Sequence, residues 1–290
     1  MVKGVPVTSP RLPDAIGIGC RRCATSWLHG VLDQHPQIGK PPNGVHFFSK
    51  YRTEGLDWYA EHFQNYLGHK VILDFSVSYT YPNYYSDVAK TVHNMLPNAK
   101  IFVALRNPTD RAFSDYLRSI RRLEIPKKIS FEQAIIDYPL LLERGMYSKL
   151  LEPFWDRFPK ERRLVLIYDD LISDPKNYLI QLWDFLGVKT CLELDLRRKE
   201  DKGRSIISTN FNRFLLKTKE FTEATLSRLG REKFWDFLQQ KYLPFYQKLL
   251  ALNERPNMIK PSTRNNLLQY YSQDIRKLEQ LIQRDLKFWI

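Results

Sequence analysis

Residues 100–116 read KIFVALRNPTDRAFSDY, and this stretch passes from an apolar run to a helical pattern within two residues. The run 100–105 is short and apolar, which predicts a buried strand. Asn107 followed by Pro108 is typical of an N-cap and a first helical residue, so we expect a helix that continues through Ser119. The stretch therefore predicts a strand that leads directly into a helix, the repeating unit of α/β folds.

The same change of pattern occurs near the beginning of the sequence. Residues 15–19 predict a strand, and residues 25–34 predict a helix with one apolar face. Between them lies the segment 19–26, Gly-Cys-Arg-Arg-Cys-Ala-Thr-Ser. A loop that opens a helix at a strand's carboxyl end exposes unpaired N–H groups and the positive end of the helix dipole, which suits it to bind an anion. The pattern GxxxxGK[ST] cannot be written here, which argues against a P-loop nucleotidase. Taken alone, the segment is equally typical of an ordinary helix start.

Strand and helix patterns alternate along most of the chain. Further strands are predicted at 71–75 and 163–168, and further helices at 84–95, from Ser130 onward, and at 175–186. This alternation predicts an α/β fold with a mostly parallel central sheet flanked by helices.

The last third of the chain is predicted to be helical. Its apolar residues recur at spacings of three and four and form a core-facing stripe: Leu268, Tyr271, Ile275, Leu278 and Ile282. No linker rich in Gly or Ser divides the chain. We therefore expect a single domain over residues 1–290, in which 1–13 form a loose N-terminal segment.

The two strand-to-helix corners are predicted to lie together. Arg106 stands at the end of the strand 100–105, and Ser114 lies two turns into the helix that follows. In a parallel sheet this corner and the segment 19–26 share one edge, where open α/β folds bind ligands. A surface ion pair is the alternative role for Arg106, but an Arg before a capped helix is well placed to bind phosphate. Two basic corners suit a nucleotide that carries phosphates at both ends.

The composition favours an anionic partner without naming it. The chain has 45 Lys and Arg residues against 32 Asp and Glu, a formal net charge of +13. Such an excess suits a phosphorylated nucleotide, an acidic glycan or nucleic acid. The basic residues are dispersed without a run of five, so a basic binding tail is not expected. A nucleic-acid binder remains an alternative that rests on charge alone, and it would bind with a steep dependence on salt.

Apolar runs are short throughout, and the longest strictly apolar ones have five or six residues, as in 101–105. We therefore expect no membrane span. Residues 1–13 lack the apolar region of a secretory signal, which favours a cytoplasmic location. The chain has three cysteines, too few for a disulfide framework.

The two corners resemble the 5′-phosphosulfate and 3′-phosphate motifs of sulfotransferases that use 3′-phosphoadenosine 5′-phosphosulfate (PAPS). The string LRNPTDRAFSDY at 105–116 is similar to the branch of heparan sulfate N- and 3-O-sulfotransferases and their bacterial relatives. The resemblance extends over nearly the whole chain, through His35-Pro36, 45–48, 74–79, 144–147 with Trp155, and 262–289. It implies a P-loop-like α/β fold, PAPS as co-substrate, adenosine 3′,5′-bisphosphate as product and no metal.

The resemblance also implies roles for individual residues. Arg22 takes the cationic position that contacts the bridging oxygen between phosphate and sulfate. Thr25 and Ser26 hold the 5′-phosphate, and Arg106 and Ser114 hold the 3′-phosphate. The remaining donor-side positions are Arg21, Cys23 and Ala24 in the loop, Tyr147 at the adenine, and Lys202, Gly203 and Arg204 in a late loop over the nucleotide, where a generic basic turn is the alternative.

The acceptor side departs from the heparan-type pattern. Gly44 stands where that pattern has its proposed basic Glu, and Phe75 replaces a Lys that contacts uronate. If 45–48 is strand-like, residues 44 and 46 point to the same face, which makes His46 the first candidate for the base. Asp74, at the end of the second long strand, is the second candidate.

Sulfuryl transfer by in-line displacement needs positioned cations for the leaving oxygens and a base for the acceptor's proton. The acceptor is expected to be a hydroxyl or amine of a small molecule, a glycan or a carrier-bound group, with no nucleic acid as partner. The oligomeric state is left open. One alternative is a protein of the same fold that binds the nucleotide but has lost catalysis, as the missing Glu suggests.

Another alternative is redox chemistry. Cys20-x-x-Cys23 after a strand mimics a thioredoxin motif, although it explains nothing from Arg106 onward. Two arginines and a helix start would lower the pKa of these thiols. We therefore consider the hypothesis that oxidation of the pair weakens donor binding.

Overall fold

The computed structural model describes residues 11–191, 193–196 and 258–290. Its described residues form one sheet of five parallel strands, which are β1 (Ala15–Gly17), β2 (Ile38–Gly39), β3 (Val71–Phe75), β4 (Lys100–Leu105) and β5 (Arg163–Ile167). The spatial order is β2-β3-β1-β4-β5. The predicted α/β fold with a parallel central sheet is confirmed.

Helices connect the strands. The described α-helices are α1 (Thr25–Leu32), α2 (Gly55–Glu61), α3 (Tyr85–Met95), α4 (Pro108–Arg121), α5 (Phe131–Asp137), α6 (Leu140–Glu143), α7 (Tyr147–Trp155), α8 (Tyr168–Ser173), α9 (Pro175–Leu186) and α10 (Pro261–Ile282). A π-helical turn covers Phe47–Tyr51, and short 3₁₀ turns cover Arg52–Glu54, Gln64–Tyr66, Val77–Thr80, Lys160–Arg162 and Lys287–Trp289.

The central strands are buried on both faces, as expected for a parallel sheet covered by helices. β1 passes very close to its neighbours at Gly17. A Cβ atom there would lie 2.3 Å from Cδ2 of Phe75 and 2.6 Å from Cζ of Phe102. Any larger residue at this position would push apart two aromatic rings of the core.

The strand order changes direction at β1 and β4. From β1 the chain moves outward to β2, and from β4 it moves to β5 on the opposite side. The two strands are neighbours, with Ala15 opposite Lys100 and Gly17 opposite Phe102. Their carboxyl ends therefore form a topological switch point, the place where open α/β sheets bind ligands.

The structure differs from the sequence-based predictions at residues 45–48 and in the buried stripe of α10. The segment 45–48 is not strand-like, because His46 has a left-handed backbone (φ 59°) and a helical turn starts at Phe47. The argument that placed residues 44 and 46 on one face of a strand is therefore wrong. In α10 the buried stripe runs through Leu267, Tyr271, Ile275 and Leu278, whereas the predicted Leu268 and Ile282 are only partly buried.

The described chain divides into two compact units. The first takes in the described residues up to Ala112, those from Leu142 to 196 and those from Asn265 to Ile290; the second takes in Phe113 to Leu141 and 258 to Arg264. The single-domain prediction over 1–290 stays a prediction, and residues 1–10 lie outside the described part. Across 11–191, 193–196 and 258–290, every helix is too short or too polar to cross a bilayer.

Candidate functional site

The loop after β1 is held against β4 by its own backbone. The N–H of Cys20 donates to the carbonyl of Ala104, and the N–H of Ala104 donates to the carbonyl of Gly19, both at 2.9 Å. Beyond this clamp the chain turns sharply, because Arg22 (φ 71°) and Ala24 (φ 61°) both have left-handed backbones. Left-handed non-glycine residues are costly and concentrate at ligand sites, and turns of this kind aim successive N–H groups into anion-binding concavities.

The same loop opens α1. Ala24 occupies the N-cap, and no side chain caps the first turn of the helix. The first-turn N–H groups are thus left for a ligand or solvent, and the helix dipole adds positive potential at this end. Thr25 is buried at the turn, Ser26 is exposed, and Arg21 and Arg22 are both half-buried. This geometry suits an anion, and the assignment of the loop to the 5′ group stays a prediction.

Arg106 forms the second corner, directly after β4. Its guanidinium carbon lies 4.5 Å from the centre of the Tyr168 ring, which begins α8 at the end of β5. Asn107 caps α4, with Oδ1 accepting from the N–H of Thr109 at 3.0 Å and of Asp110 at 3.4 Å. The predicted Asn-Pro helix start is confirmed, and the stacking fixes a half-buried cation at the carboxyl edge of the sheet.

Tyr147 contacts both corners through its hydroxyl group. Its fully buried hydroxyl donates to the carbonyl of Arg106 at 2.8 Å and lies 3.7 Å from Sγ of Cys23. A side chain with no exposed surface is poorly placed to touch an adenine ring. The geometry therefore favours a supporting role for Tyr147 over the predicted adenine contact.

The remaining donor-side residues are placed as follows. Ser114 lies on α4 in the second unit, and its assignment to the 3′-phosphate stays a prediction. Lys202, Gly203 and Arg204 lie outside the described residues.

The cysteine pair does not have the environment of a reactive site. Cys20 and Cys23 are both free and buried. Burial raises the pKa of the Cys20 thiol, with a further rise from Cys23, and burial raises the pKa of Cys23 to about 11 despite hydrogen bonding to Tyr147 and the nearby charge of Arg111. The expected lowering of these pKa values is wrong, because desolvation outweighs the positive charge.

Asp74, the second predicted base, is fully buried on β3. Its carboxylate accepts hydrogen bonds from the hydroxyls of Tyr79 and Ser76, each at 2.6 Å, and of Tyr59 at 3.0 Å, with the N–H of Val45 at 3.4 Å. Burial raises the pKa of Asp74, and these hydrogen bonds oppose the rise. Four donors and no exposure favour a structural role, in which Asp74 holds the segments around Val45 and Ser76, over proton transfer.

His46 lies where those two segments meet. Its N–H donates to Oγ of Ser76 at 2.9 Å, and its Nδ1 is 2.6 Å from Oγ of Ser78. Burial, and then the charge of Lys50, lowers the pKa of His46 to about 4. The half-buried imidazole is therefore neutral at pH 7.

Gly44 has no room for a side chain. A Cβ atom there would lie 2.6 Å from the carbonyl oxygen of Phe75, 2.8 Å from Oγ of Ser76 and 2.9 Å from its Cα. The carbonyl oxygen of Phe75 and the Cα of Ser76 are backbone atoms, so they cannot rotate away as a side chain could. A Glu at this position would require β3 and the turn to move apart.

Two further residues at this edge were missed from the sequence. Lys40, just after β2, has a buried ammonium group that pairs with Oδ1 of Asp33 at 2.6 Å and donates to the carbonyl of Pro41 at 3.1 Å. His29 on α1 stacks on Phe75 with ring centres 4.4 Å apart. Burial first, then the charge of Lys40 and, more weakly, His46 lower the pKa of His29 to about 4. The two-residue strand before Lys40 is too short for any periodic pattern to reveal.

Comparison with known proteins gives a consistent family. The chain matches the family described as "Sulfotransferase domain" over residues 12–243. It is 28% identical over 259 residues to mouse heparan sulfate glucosamine 3-O-sulfotransferase 3B1, covering 85% of this chain and 65% of that protein. It is 28% identical over 251 residues to the human 3A1 enzyme, covering 82% of this chain and 61% of that one. The chain thus spans less than two thirds of the length of these relatives.

The fold has a solved counterpart. A crystal structure of a sulfotransferase from Alicyclobacillus acidocaldarius superposes with a TM-score of 0.69 at 23% identity, covering 96% of this chain and 99% of that one. At this identity the likeness concerns the fold. The family match, by contrast, covers well over half of the 290 residues and includes both basic corners. The chain belongs to the sulfotransferase domain family.

Proposed function

We propose that this chain is a PAPS-dependent sulfotransferase that transfers a sulfuryl group to a hydroxyl or amine acceptor. The observation that carries the proposal is the pairing of two cationic corners at the switch point between β1 and β4. One is the uncapped start of α1 with its left-handed turn at Arg22 and Ala24. The other is Arg106, stacked on Tyr168. Such an arrangement suits a ligand with separated phosphate groups.

The residues of the two corners fit this donor. The backbone N–H groups of the loop and Thr25 would hold the 5′-phosphate, and Arg106 would hold the 3′-phosphate. Arg22 would stabilise the negative charge that grows on the bridging oxygen as the bond to sulfur breaks, which is where preorganised cations contribute most. When bound, PAPS supplies an activated sulfuryl group, and the protein's contribution is positioning and charge stabilisation.

His46 is the better of the two predicted bases. Its imidazole is neutral at pH 7 and half-buried, whereas the Asp74 carboxylate is fully enclosed by four donors. The N–H of His46 donates to Ser76, which follows Phe75 at the end of β3, and Phe75 stacks on His29 of α1, the helix that starts at the donor loop. We assign His46 to accept the acceptor's proton and Asp74 to hold the backbone that carries it.

The acceptor is proposed only by chemical class. The curated relatives are named for action on heparan sulfate glucosamine. In this chain the acceptor side differs, since Gly44 cannot be replaced by a Glu without backbone movement and Phe75 is buried under His29. We therefore propose a hydroxyl or amine on a glycan, a small molecule or a carrier-bound group.

Calorimetry with adenosine 3′,5′-bisphosphate and adenosine 5′-phosphate tests the donor site. Arg106→Ala is expected to weaken bisphosphate binding by about 10- to 100-fold, because a charge-assisted pair contributes roughly 1.5–3 kcal/mol. Binding of the 5′-phosphate should change much less. Arg162→Ala is the matched control, since this arginine contacts the carbonyl of Pro97 and Oδ1 of Asn98 beside the amino end of β4.

Turnover of labelled PAPS separates the enzyme from a protein that only binds the nucleotide. Arg22→Ala should abolish turnover with any accepted hydroxyl or amine while bisphosphate affinity stays within about tenfold, since Arg22 acts mainly in the transition state. In the calorimetry, an equal loss of affinity for adenosine 3′,5′-bisphosphate and adenosine 5′-phosphate in Arg106→Ala would place that residue outside the 3′-phosphate site. Bisphosphate binding without turnover on a broad acceptor panel would favour the non-catalytic alternative.

A further inference from the structure

Three side chains of the acceptor side form a closed ring of contacts. Nδ1 of His46 is 2.6 Å from Oγ of Ser78, and this oxygen is 2.6 Å from Oγ of Ser49. Oγ of Ser49 in turn donates to the carbonyl of His46 at 3.2 Å. The ring is therefore closed through the backbone carbonyl of His46.

The surrounding backbone holds the ring in place. His46 has a left-handed backbone, and its N–H donates to Oγ of Ser76. That hydroxyl donates to the buried carboxylate of Asp74. Ser78 is only 1% exposed, so solvent has little access to its hydroxyl and its partners are those within the ring.

The direction of the hydrogen bonds follows from counting protons. A carbonyl can only accept, so the contact between Ser49 and the His46 carbonyl uses the single hydroxyl hydrogen of Ser49. All three contacts are hydrogen bonds at the same time only when Ser78 gives its hydrogen to Ser49. In that arrangement no serine hydrogen is left for the imidazole, so Nδ1 of His46 carries the proton that it donates to Ser78.

A neutral imidazole has one proton, so a protonated Nδ1 leaves the lone pair on Nε2. The low pKa of His46, due to burial and Lys50, agrees with a neutral ring. In the opposite tautomer Nε2 would carry the proton and could not accept another. Which nitrogen is protonated therefore decides whether the histidine can accept a proton at Nε2 or only at Nδ1, which faces Ser78.

We propose that Ser78 and Ser49 are positioning residues that hold His46 as the Nδ1–H tautomer, with Nε2 ready to take the acceptor's proton. This rests on the proposed sulfuryl transfer. In that step Nε2 gains the proton of the acceptor hydroxyl or amine as the new bond to sulfur forms. The old bond from sulfur to the bridging oxygen breaks, and its electron pair leaves with adenosine 3′,5′-bisphosphate.

Nitrogen-15 NMR of histidine-labelled protein tests the tautomer without any turnover. The chain has six histidines, and the His46 signals are identified by their loss in His46→Gln. We expect a protonated Nδ1 and an unprotonated Nε2 in the parent protein. Ser49→Ala is the sharpest variant, because it removes the acceptor of the Ser78 hydroxyl without touching the imidazole. Ser78 can then donate to Nδ1, so the proton should move to Nε2.

Kinetics with PAPS test the consequence. Ser49→Ala and Ser78→Ala should lower kcat by about tenfold or more, within the ~10²–10⁴-fold that a general base contributes. KM for PAPS should stay the same. Ser49→Thr keeps the hydroxyl at a half-buried position and should restore kcat, and Ser173→Ala, on α8, is the control for loss of an ordinary serine.

Two results would overturn the proposal: a protonated Nε2 in the parent, or an unchanged tautomer and kcat in both alanine variants. Failure of the proposed function has a different signature. A parent protein that binds no adenosine 3′,5′-bisphosphate would refute the donor site, while the NMR spectra would still decide whether the two serines set the position of the proton.

Discussion

At the scale of single residues, the low pKa of His46 predicts a distinctive pH response for the proposed base. An unperturbed histidine titrates near pH ~6.5, and a rate that depended on it would rise through that range. Burial and Lys50 lower the pKa of His46 to about 4. The titratable groups that act on the ring are Lys50 on its own turn and, on α1, His29, whose pKa is also about 4. The base form is therefore fully present at every pH well above 4.

We predict that kcat changes by less than about twofold between pH ~6 and ~8 and falls only as the pH approaches about 4. Pre-steady-state rates at saturating PAPS are the measurement. Because both histidines bind protons more weakly in the folded than in the unfolded chain, stability also decreases as the pH falls from about 6.5 toward 4, so circular dichroism at each pH is the control. A tenfold rise in kcat centred near pH 6.5 would mean that the imidazole is not held in this environment.

At the scale of elements, the turn that carries His46 depends on Gly44. The backbone carbonyl of Phe75 on β3 lies 2.6 Å from where a Cβ of residue 44 would stand. We predict that Gly44→Ala destabilises the fold by about 1–3 kcal/mol, the usual range for overpacking. Gly30→Ala is the matched control, because nothing lies within 4 Å of its Cβ position and it is an exposed residue in α1.

Gly30→Ala should instead stabilise the protein by roughly 0.5–1 kcal/mol, since alanine favours a helix more than glycine does. Urea denaturation of the two variants should thus shift the midpoint in opposite directions. A Gly44→Ala variant as stable as the parent would show that the turn can move away from β3. Room for a longer side chain near the acceptor would then exist.

The elements also show which features can be predicted from a sequence. The strands β3 and β4 and the helix α9 have the predicted bounds, because continuous apolar runs and capping residues are local signals. The turn at 45–48 was predicted as strand-like, because nothing local reports the carboxylate of Asp74, which reaches it from a segment 29 residues away. Tertiary hydrogen bonds, rather than propensity, determine this turn.

Some residues of the candidate site could also be predicted from the sequence, and others could not. Arg22 and Arg106 stand out in the sequence because each follows an apolar strand and precedes a helix start. The buried positions of Tyr147, Cys23 and Asp74 could not be predicted, since burial depends on how distant elements pack. Ser49 and Ser78 carried no signal at all, because a serine acquires a role only through the partner that its hydroxyl meets.

At the scale of the whole molecule, the net charge of +13 raises the question of whether anion binding is local or general. A general basic surface attracts any polyanion, and such attraction is screened over a Debye length of about 10 Å at 0.1 M salt and about 3 Å at 1 M. A half-buried cation such as Arg106, fixed by stacking on Tyr168, is screened much less. Salt therefore separates the two kinds of binding.

We predict that adenosine 3′,5′-bisphosphate still raises the melting temperature of the parent protein by several degrees in about 0.5 M salt. A ligand at one hundred times its Kd stabilises the folded state by about 2.7 kcal/mol, because it binds only that state. Single-stranded DNA should lose its effect on the melting temperature in the same buffer, since its affinity falls steeply with salt.

Differential scanning fluorimetry of the parent, Arg106→Ala and Arg162→Ala makes the comparison, and each variant removes one positive charge. Only Arg106→Ala should reduce the bisphosphate shift to about half or less, in low salt as well as in about 0.5 M salt. If both variants lost it equally, or if the shift vanished in high salt as the DNA effect does, net charge rather than the two corners would account for anion binding.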